Sequence, residues 1–245
     1  GISYAPFDFL SLTAGFGFNF LQASMDVDAE YQFLTTEPTM LRIDAVGTGT
    51  GFSYQAGIHL APTQDIDIAF NYISATAITL NWDKKEDSTD LLPEEQRRDI
   101  PASLTAGASY RFLDDFEVTS SFTHYLNQQA DWGENPEDQT PVMSKYRNGI
   151  DLGFSFQYTY ENSWAVSAGY NRSWSGATAE SRNLLETGLD ANSFTAGTRY
   201  PITDSLSVSA AITAIAFSPA KNADEDIGYT AFTWGGGFGL TWKAL

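Results

Sequence analysis

A strict two-residue alternation along residues 150–160, IDLGFSFQYTY, constrains the fold of this chain more than any other feature. Its apolar and aromatic side chains all fall on even-numbered positions, and its small or polar side chains fall on odd-numbered ones. Because successive side chains of a β-strand point to opposite faces of the sheet, this stretch predicts a strand with one apolar and one polar face. What covers the apolar face then decides the class of protein.

The same alternation recurs along the chain, for example at 10–20, 52–60, 103–112 and 206–214. It predicts an all-β chain of eleven strands. The predicted strands are 2–6, 9–23, 43–61, 66–82, 102–113, 115–127, 147–160, 163–174, 192–201, 205–217 and 229–242.

The connections between these strands alternate between two kinds. Short turns lie at 6–9, 62–65, 113–115, 161–162 and 201–205, and long polar loops lie at 34–41, 83–100, 127–147, 175–191 and 218–228. This order predicts an up-and-down antiparallel meander with a turn end and a loop end. Outer-membrane barrels, which have short periplasmic turns and long extracellular loops, show the same arrangement.

Aromatic residues gather beside the short turns, as in the aromatic girdle of a barrel at a membrane interface. They are Tyr4, Phe7, Phe9, Tyr110, Phe112, Phe116, Tyr158, Tyr160, Trp164, Tyr200 and Trp242. The alternative is a soluble barrel with its apolar face turned inward. Its surface would then be the polar face, which is nearly free of the Lys and Glu that soluble β surfaces carry. We therefore predict a transmembrane antiparallel up-and-down β-barrel.

Composition excludes several other classes of function. With 31 acidic and 13 basic residues, the net charge of −18 argues against a nucleic-acid partner. The absence of cysteine excludes disulfides and thiolate metal sites. Neither histidine, His59 or His124, lies in a local metal or hydrolase motif, so we predict no catalytic residue, metal or cofactor and a function that is not enzymatic. GTGTG at 47–51 lacks the lysine of a phosphate-binding loop and instead suggests close backbone approach, as does GGG at 235–237.

An odd number of strands does not fit a complete barrel, since single-chain bacterial barrels have an even number of antiparallel strands. The first predicted strand, 2–6, is also short, and the sequence opens like the middle of a strand. We therefore expect residues 1–245 to form one domain that is the C-terminal portion of a larger barrel.

Two stretches carry a family likeness. Residues 47–82 followed by 99–132 combine a Gly-rich strand, a strand with a YxS motif, a loop and a strand led by Pro101. In this order they resemble the central hairpins of the FadL/TodX family of outer-membrane transport proteins for long-chain fatty acids and aromatic hydrocarbons. Residues 147–217 resemble the next two hairpins of that family in turn position and loop length.

The resemblance implies a barrel of about 14 strands. It also implies an N-terminal hatch and a break in the wall through which hydrophobic substrate leaves sideways. Hatch and break are expected upstream of Gly1.

In this family, a loop that matches 173–192 carries basic residues near the substrate carboxylate. Arg182 falls on a basic position of the loop and Asp190 on its acidic position, whereas Ala191 replaces a second arginine and the prolines are absent. A carboxylate anchored by Arg182 and a neutral hydrophobic ligand therefore remain alternatives.

Apolar loop residues predict a vestibule for a hydrophobic ligand, with loop packing as the alternative. With Arg182, the candidate ligand-binding residues are Trp132, Trp174, Leu184, Leu185 and Leu189. Charged side chains of the polar face could line a route or pair across a wet lumen. These are His59, Asp67, Arg111, Glu117, Asp151 and Arg199.

The sequence thus predicts a bacterial outer-membrane channel for passive uptake of hydrophobic small molecules, either fatty acids or aromatic hydrocarbons. Its partners would be the lipid bilayer and a hydrophobic ligand, detergent or lipid, with the protein a monomer or part of a larger envelope assembly. A porin-like pore for polar solutes and a structural or adhesive barrel are the alternatives.

Overall fold

The computed structural model of the chain describes residues 1–31, 39–84, 94–134, 140–182, 188–223 and 227–242. Its strands are β1 (Ile2–Phe7), β2 (Leu10–Tyr31), β3 (Thr39–Leu60), β4 (Ile66–Ile73), β5 (Thr79–Lys84), β6 (Glu95–Arg97), β7 (Ser103–Phe112), β8 (Phe116–Tyr125), β9 (Gly149–Thr159), β10 (Ala165–Trp174), β11 (Ala191–Pro201), β12 (Leu206–Phe217), β13 (Ala220–Lys221), β14 (Gly228–Tyr229) and β15 (Phe232–Trp242). Short 3-10 turns lie at Asn127–Gln129 and Val142–Lys145. In the described part of the chain, no helix is long and apolar enough to cross a membrane.

Eleven of these strands form one antiparallel wall in the order β1, β2, β3, β4, β7, β8, β9, β10, β11, β12 and β15. Each wall strand pairs with its predecessor in the wall, which confirms the meander and the all-β fold class. Among the described residues, β1 and β15 do not pair with each other, so the wall has two open edges. The hairpin of β2 and β3 is longer than predicted, because both strands extend to Tyr31 and Thr39 and take up part of the expected loop 34–41.

The two faces of the wall follow the predicted parity. Even-numbered side chains of β2–β4, β7–β12 and β15 form the outer face, where Phe154, Phe156, Ile212 and Leu240 are 50%, 58%, 66% and 75% exposed. Odd-numbered side chains form the inner face, on which hydroxyls pair across strands, as Thr195 does with Thr213 at 2.9 Å. The large apolar side chains therefore do not form a dry centre. A face this apolar fits hydrocarbon better than water.

The aromatic girdle is continuous across four neighbouring strands at the turn end. Ring centroids lie 6.1 Å apart between Tyr110 and Phe112, and 5.3 Å apart between Phe112 and Phe116. The series continues from Phe116 to Tyr158 at 4.8 Å and through Tyr160 to Trp164, with 4.6 Å at each step. Phe7 and Phe9 stack in the same way at the turn between β1 and β2.

One predicted strand is wrong in its extent. Residues 66–82 do not form one strand, because β4 ends at Ile73 and the chain rejoins β3 only as β5. The predicted loop 83–100 also contains structure, since β6 pairs with β5 from Arg97 to Glu95. The segment between β4 and β5 is the most distinctive part of the wall.

Candidate functional site

Residues 74–80, named the excursion here, leave the plane of the wall beside β3. The last backbone hydrogen bond to β3 before the chain leaves the wall is at Ser74, whose N–H donates to the Tyr54 carbonyl at 2.9 Å. Its hydroxyl accepts from the Tyr54 N–H at 3.0 Å, which replaces the next backbone partner as the strand departs. On its other side the excursion stays paired, because Thr76 and Ile100 exchange two backbone hydrogen bonds of 2.9 Å.

The excursion passes over the inner face of β3. A Cβ added to Gly49 would lie 2.5 Å from the Thr79 carbonyl oxygen, and one added to Gly51 would lie 2.5 Å from the Ala77 carbonyl oxygen. Only glycine allows two backbones to approach this closely without a shift. The GTGTG stretch of β3 therefore has the role expected from its small residues, which is close backbone approach.

The excursion carries the largest fully buried side chains of the described chain. Ile78 is 0% exposed and Leu80 and Thr76 are each 2% exposed, whereas the wall strands keep most of their apolar side chains open. Because the register with β3 shifts by one residue between β4 and β5, even-numbered side chains point outward in β4 and inward in β5. The Trp82 ring accordingly lies against Gly47 on the inner face.

Asp99 fastens the excursion to the loop end. This buried carboxylate accepts from the Ile78 N–H at 3.1 Å, from the Asp131 N–H at 3.2 Å and from the Arg97 guanidinium at 2.8 Å. The Asp99 carbonyl accepts from the Trp132 indole N–H at 2.8 Å. A buried carboxylate needs several such partners to offset the loss of water. Asp99 therefore links the excursion, the end of the loop before β7 and the loop after β8.

A small apolar cluster lies next to this network at the loop end. Ala130, Met143 and Tyr146 are buried together, and Trp132, Val142 and Ala177 pack against them. The Trp132 ring meets that of Tyr146 edge-on with centroids 5.5 Å apart. The Arg98 guanidinium also contacts the Trp132 ring and lies 4.9 Å from its centroid. Loop residues from three parts of the chain thus form one apolar cap.

The structure separates the residues that the sequence grouped into one vestibule. Trp132 joins the apolar cluster, and the Arg182 guanidinium donates to the carbonyl of Ala177, a neighbour of that cluster, at 3.0 Å. The Arg182 Nε is buried, and the described residues offer it no hydrogen-bond partner. Trp174 instead lies on the outer face, 38% exposed. Leu189 is partly buried, and Leu184 and Leu185 lie outside the described residues.

Several of the inner-face charges form pairs. His59 Nε2 lies 2.9 Å from Asp67 Oδ1, and Arg111 lies 3.5 Å from Glu117, both near the turn end. Asp151, nearer the loop end, accepts from the Tyr125 hydroxyl at 2.9 Å. Arg199 is exposed near the turn end.

Asp99, Ile78 and Leu80 are the site residues that the sequence analysis missed. The glycines at 47, 49 and 51 were the one sequence signal for them, because they indicated a close approach without naming the segment that approaches. Among the residues that the structure describes, no group of three or more His, Asp or Glu side chains could hold a metal ion.

No protein-family model matches the sequence, and no curated protein matches it. Solved structures match it closely in fold. A FadL homologue of Pseudomonas aeruginosa superposes with a TM-score of 0.65 at 17% identity, over 97% of this chain and 64% of that one. The toluene transporter TbuX of Ralstonia pickettii gives 0.64 at 14% identity, over 98% of this chain and 65% of that one.

The CymD monoaromatic hydrocarbon channel gives a TM-score of 0.63 at 13% identity, over 98% of this chain and 71% of that one. This chain therefore spans about two thirds of the length of these proteins. At such identities the likeness concerns the fold, and it confirms the resemblance seen in the sequence at that level. The eleven-stranded wall has the fold of FadL-type barrels.

Proposed function

We propose that the chain forms most of the wall of a bacterial outer-membrane channel for passive uptake of small hydrophobic molecules. The outer face supports the membrane location, because its exposed aromatic and aliphatic side chains alternate with a polar inner face in the manner of a lipid-facing barrel. A monoaromatic hydrocarbon channel and a toluene transporter among the structural neighbours fit this role.

The excursion is the observation that carries the proposal. A polar inner face dissolves hydrophobic molecules poorly, so such a molecule needs an apolar surface and a short way out. The partly buried Trp132, Val142 and Ala177 at the loop end offer apolar surface, and the excursion interrupts the pairing of β3 with its neighbour at residues 49–53. The resemblance placed a break of this kind upstream of Gly1, whereas this interruption lies within the chain.

A route follows from this geometry. Ligand is captured at the loop end beside the apolar cluster of Ala130, Met143 and Tyr146. It then meets the excursion, which the Asp99 network ties to the same loops. From there it passes sideways into the bilayer beside residues 49–53 of β3, which pair with neither β4 nor β5. No energy source is needed, because each step lowers the exposure of apolar surface to water.

The wall is completed by strands beyond the eleven described here. Unpaired edges in hydrocarbon cost several kcal/mol for each backbone group, so both β1 and β15 need neighbours. In a meander of eleven strands, β1 and β15 run in the same direction. An odd number of additional strands therefore closes the wall with antiparallel pairs only, and three of them give the barrel of about 14 strands that the resemblance implies.

Uptake and conductance together test the proposal. In cells that carry the protein in their outer membrane, we expect faster uptake of fatty acid or toluene at limiting concentration than in cells without it. In planar bilayers, the same protein should give little ion conductance. Steady conductance with no gain in hydrophobic uptake would contradict the proposal and indicate a porin, and neither effect would indicate an adhesive or structural barrel.

Arg182 separates the two ligand classes. Its buried Nε has no partner among the described residues and can donate to a carboxylate. We expect Arg182→Gln to slow fatty-acid uptake and to leave toluene uptake unchanged. Arg199→Gln, at the opposite end of the wall, is the matched control and should change neither. Equal loss of fatty-acid and toluene uptake would show that Arg182 does not anchor a carboxylate.

A porin-like pore for polar solutes is the second candidate, and the inner face favours it. A hollow of about 240 Å³ there is lined by Thr119, Ser121, Ser155, Asn171 and Thr195 among others, which suits water and polar solutes. The conductance measurement above decides between this candidate and the hydrophobic channel.

A further inference from the structure

The geometry points to a binding site on the outer face for a phosphate-bearing lipid of the leaflet at the loop end. This inference rests on the membrane location in the proposed function but not on transport. It starts from a hollow of about 650 Å³ beside β8, β9 and β10, near the ends of these strands at the loop end. The hollow lies outside the lumen, because the wall side chains that line it are even-numbered.

The floor of the hollow is apolar and its rim is polar. Phe122, Ile150, Leu152 and Trp174 form the floor, which matches an acyl chain. Residues 176–179 border it on the side away from the membrane. The rim carries Arg147, Asn148 and Asp190. This order, apolar toward the membrane and polar toward the loops, is that of a lipid with its headgroup at the interface.

Arg172 favours a lipid with an anionic headgroup. Over the outer face of β7–β12 and β15, it is the one side chain that is charged at neutral pH, in a chain whose net charge is −18. It belongs to the same stretch of β10 as Trp174, with its guanidinium 5.2 Å from the Trp174 ring centroid. Within the protein its guanidinium donates to the Ser218 hydroxyl at 3.0 Å and lies 3.6 Å from Asp190. An arginine on a lipid-facing surface is costly unless it reaches such partners, an anion or the interface.

The charged groups around the hollow have a positive net charge. Asp190 is already engaged, since it accepts from the Ser175 N–H at 2.9 Å and lies 3.6 Å from Arg172. His124 stacks on Phe122 with centroids 6.4 Å apart, and its Nε2 lies 3.3 Å from the Asn148 side chain. Arg147 is exposed and has no ion pair among the described residues. Arg147 and Arg172 against Asp190 leave one net positive charge.

The proposed occupant is therefore a phosphorylated, acylated glycolipid of the outer leaflet. One acyl chain lies along Phe122, Ile150 and Leu152, and Arg147 on the rim binds a phosphate while Arg172 neutralises the neighbouring Asp190. Guanidinium groups bind phosphate through charge-assisted, often bidentate hydrogen bonds. The lipid would act as a fixed part of the membrane-facing surface next to residues 176–179.

Native mass spectrometry of the purified protein with diphosphoryl lipid A tests the site. We expect one lipid to stay bound, and we expect the double variant Arg147→Gln, Arg172→Gln to bind it at least tenfold more weakly. Arg199→Gln is the matched control and should bind as the unchanged protein does. Phosphatidylcholine should bind at least tenfold more weakly than lipid A, and inorganic phosphate alone should not bind.

Three outcomes would overturn the inference: equal lipid A binding by the double variant, equal binding of phosphatidylcholine, or binding of free phosphate. If the double variant does not fold, the single variant Arg147→Gln takes its place, because Arg147 lies outside the strands. This variant should bind lipid A about threefold more weakly. Because no substrate is used, this result is independent of the uptake measurements. If the protein takes up hydrocarbon but binds no lipid A, the lipid site is refuted and the proposed transport function is not affected.

Discussion

The wall is regular between β9 and β10 and interrupted between β3 and β4. β9 and β10 pair through every residue from Ala165 to Trp174 without a shift, whereas β3 and β4 pair only from Leu60 to Gln55 before the chain leaves the plane. The difference lies in the inner-face positions near the loop end. In β9 and β10 glycines at 149, 153 and 169 are interleaved with side chains such as Asp151 and Asn171, whereas in β3 three successive inner positions are the glycines 47, 49 and 51.

Space on the inner face of β3 lets the neighbouring strand leave the wall, but glycine alone does not make a strand leave, since β15 has Gly235, Gly237 and Gly239 on its inner face and stays paired with β12. The ladder next to glycines can be exchanged for packing of one backbone on another, because nothing projects between them. Where each inner position carries a side chain, the same move would bring atoms into overlap. The following predictions test this difference, and their expected effects decrease in order.

Gly49→Val should have the largest effect. The new side chain would collide with the Thr79 carbonyl and with Ile78, and neither strand can shift without losing the Asp99 contact to Ile78. We expect a loss of at least about 3 kcal/mol in the free energy of unfolding, measured by urea titration in micelles. Gly237→Val on the inner face of β15, where a Cβ meets nothing within 4 Å, is the control and should change little.

Ile212→Arg tests the outer face of the regular part of the wall. Ile212 is 66% exposed there, and an arginine on a lipid face costs about 2–4 kcal/mol near the middle of the bilayer. Thr213→Arg, the next residue, points to the inner face and should cost much less. Folding into liposomes measures both. Equal costs for the two neighbours would show that the faces do not differ in solvent.

Asp99→Asn should loosen the interrupted region. The amide cannot accept from Ile78, Asp131 and Arg97 as the carboxylate does, so at least one buried donor loses its partner. We expect a loss of about 1–3 kcal/mol and a change in Trp132 fluorescence, since its indole donates to the Asp99 carbonyl. An unchanged unfolding curve would show that Asp99 does not hold the excursion.

Asp67→Asn should have the smallest effect. Its pair with His59 is 2.9 Å long, but the two side chains are 42% and 46% exposed, so solvent screens the interaction. We expect a change below about 1 kcal/mol that shrinks further in high salt. A change as large as that of Asp99→Asn would mean that the inner face at the turn end is drier than the structure indicates.

Much of this fold could be predicted because parity and turn length are local properties of the sequence. The excursion could not be, since the large apolar residues of 66–72 and of 78–82 both fall on even-numbered positions, and only the short stretch 73–77 interrupts this alternation. The register shift turns that parity from the outer to the inner face, and it depends on glycines of another strand. The same holds for Asp99, whose partners lie in two distant segments. The outer-face position of Trp174, in contrast, follows from its even number within the predicted strand 163–174.

Spin labels along 150–160 show directly which face of β9 meets lipid, and the chain has no cysteine that would compete for labelling. Each residue is replaced in turn by a labelled cysteine, and collisions with oxygen, which prefers lipid, are compared with collisions with a water-soluble nickel complex. We expect both collision rates to vary with a two-residue period, with maxima for oxygen at even positions and for the nickel complex at odd ones. Oxygen maxima at odd positions, or no alternation, would contradict a wall whose even-numbered side chains face hydrocarbon.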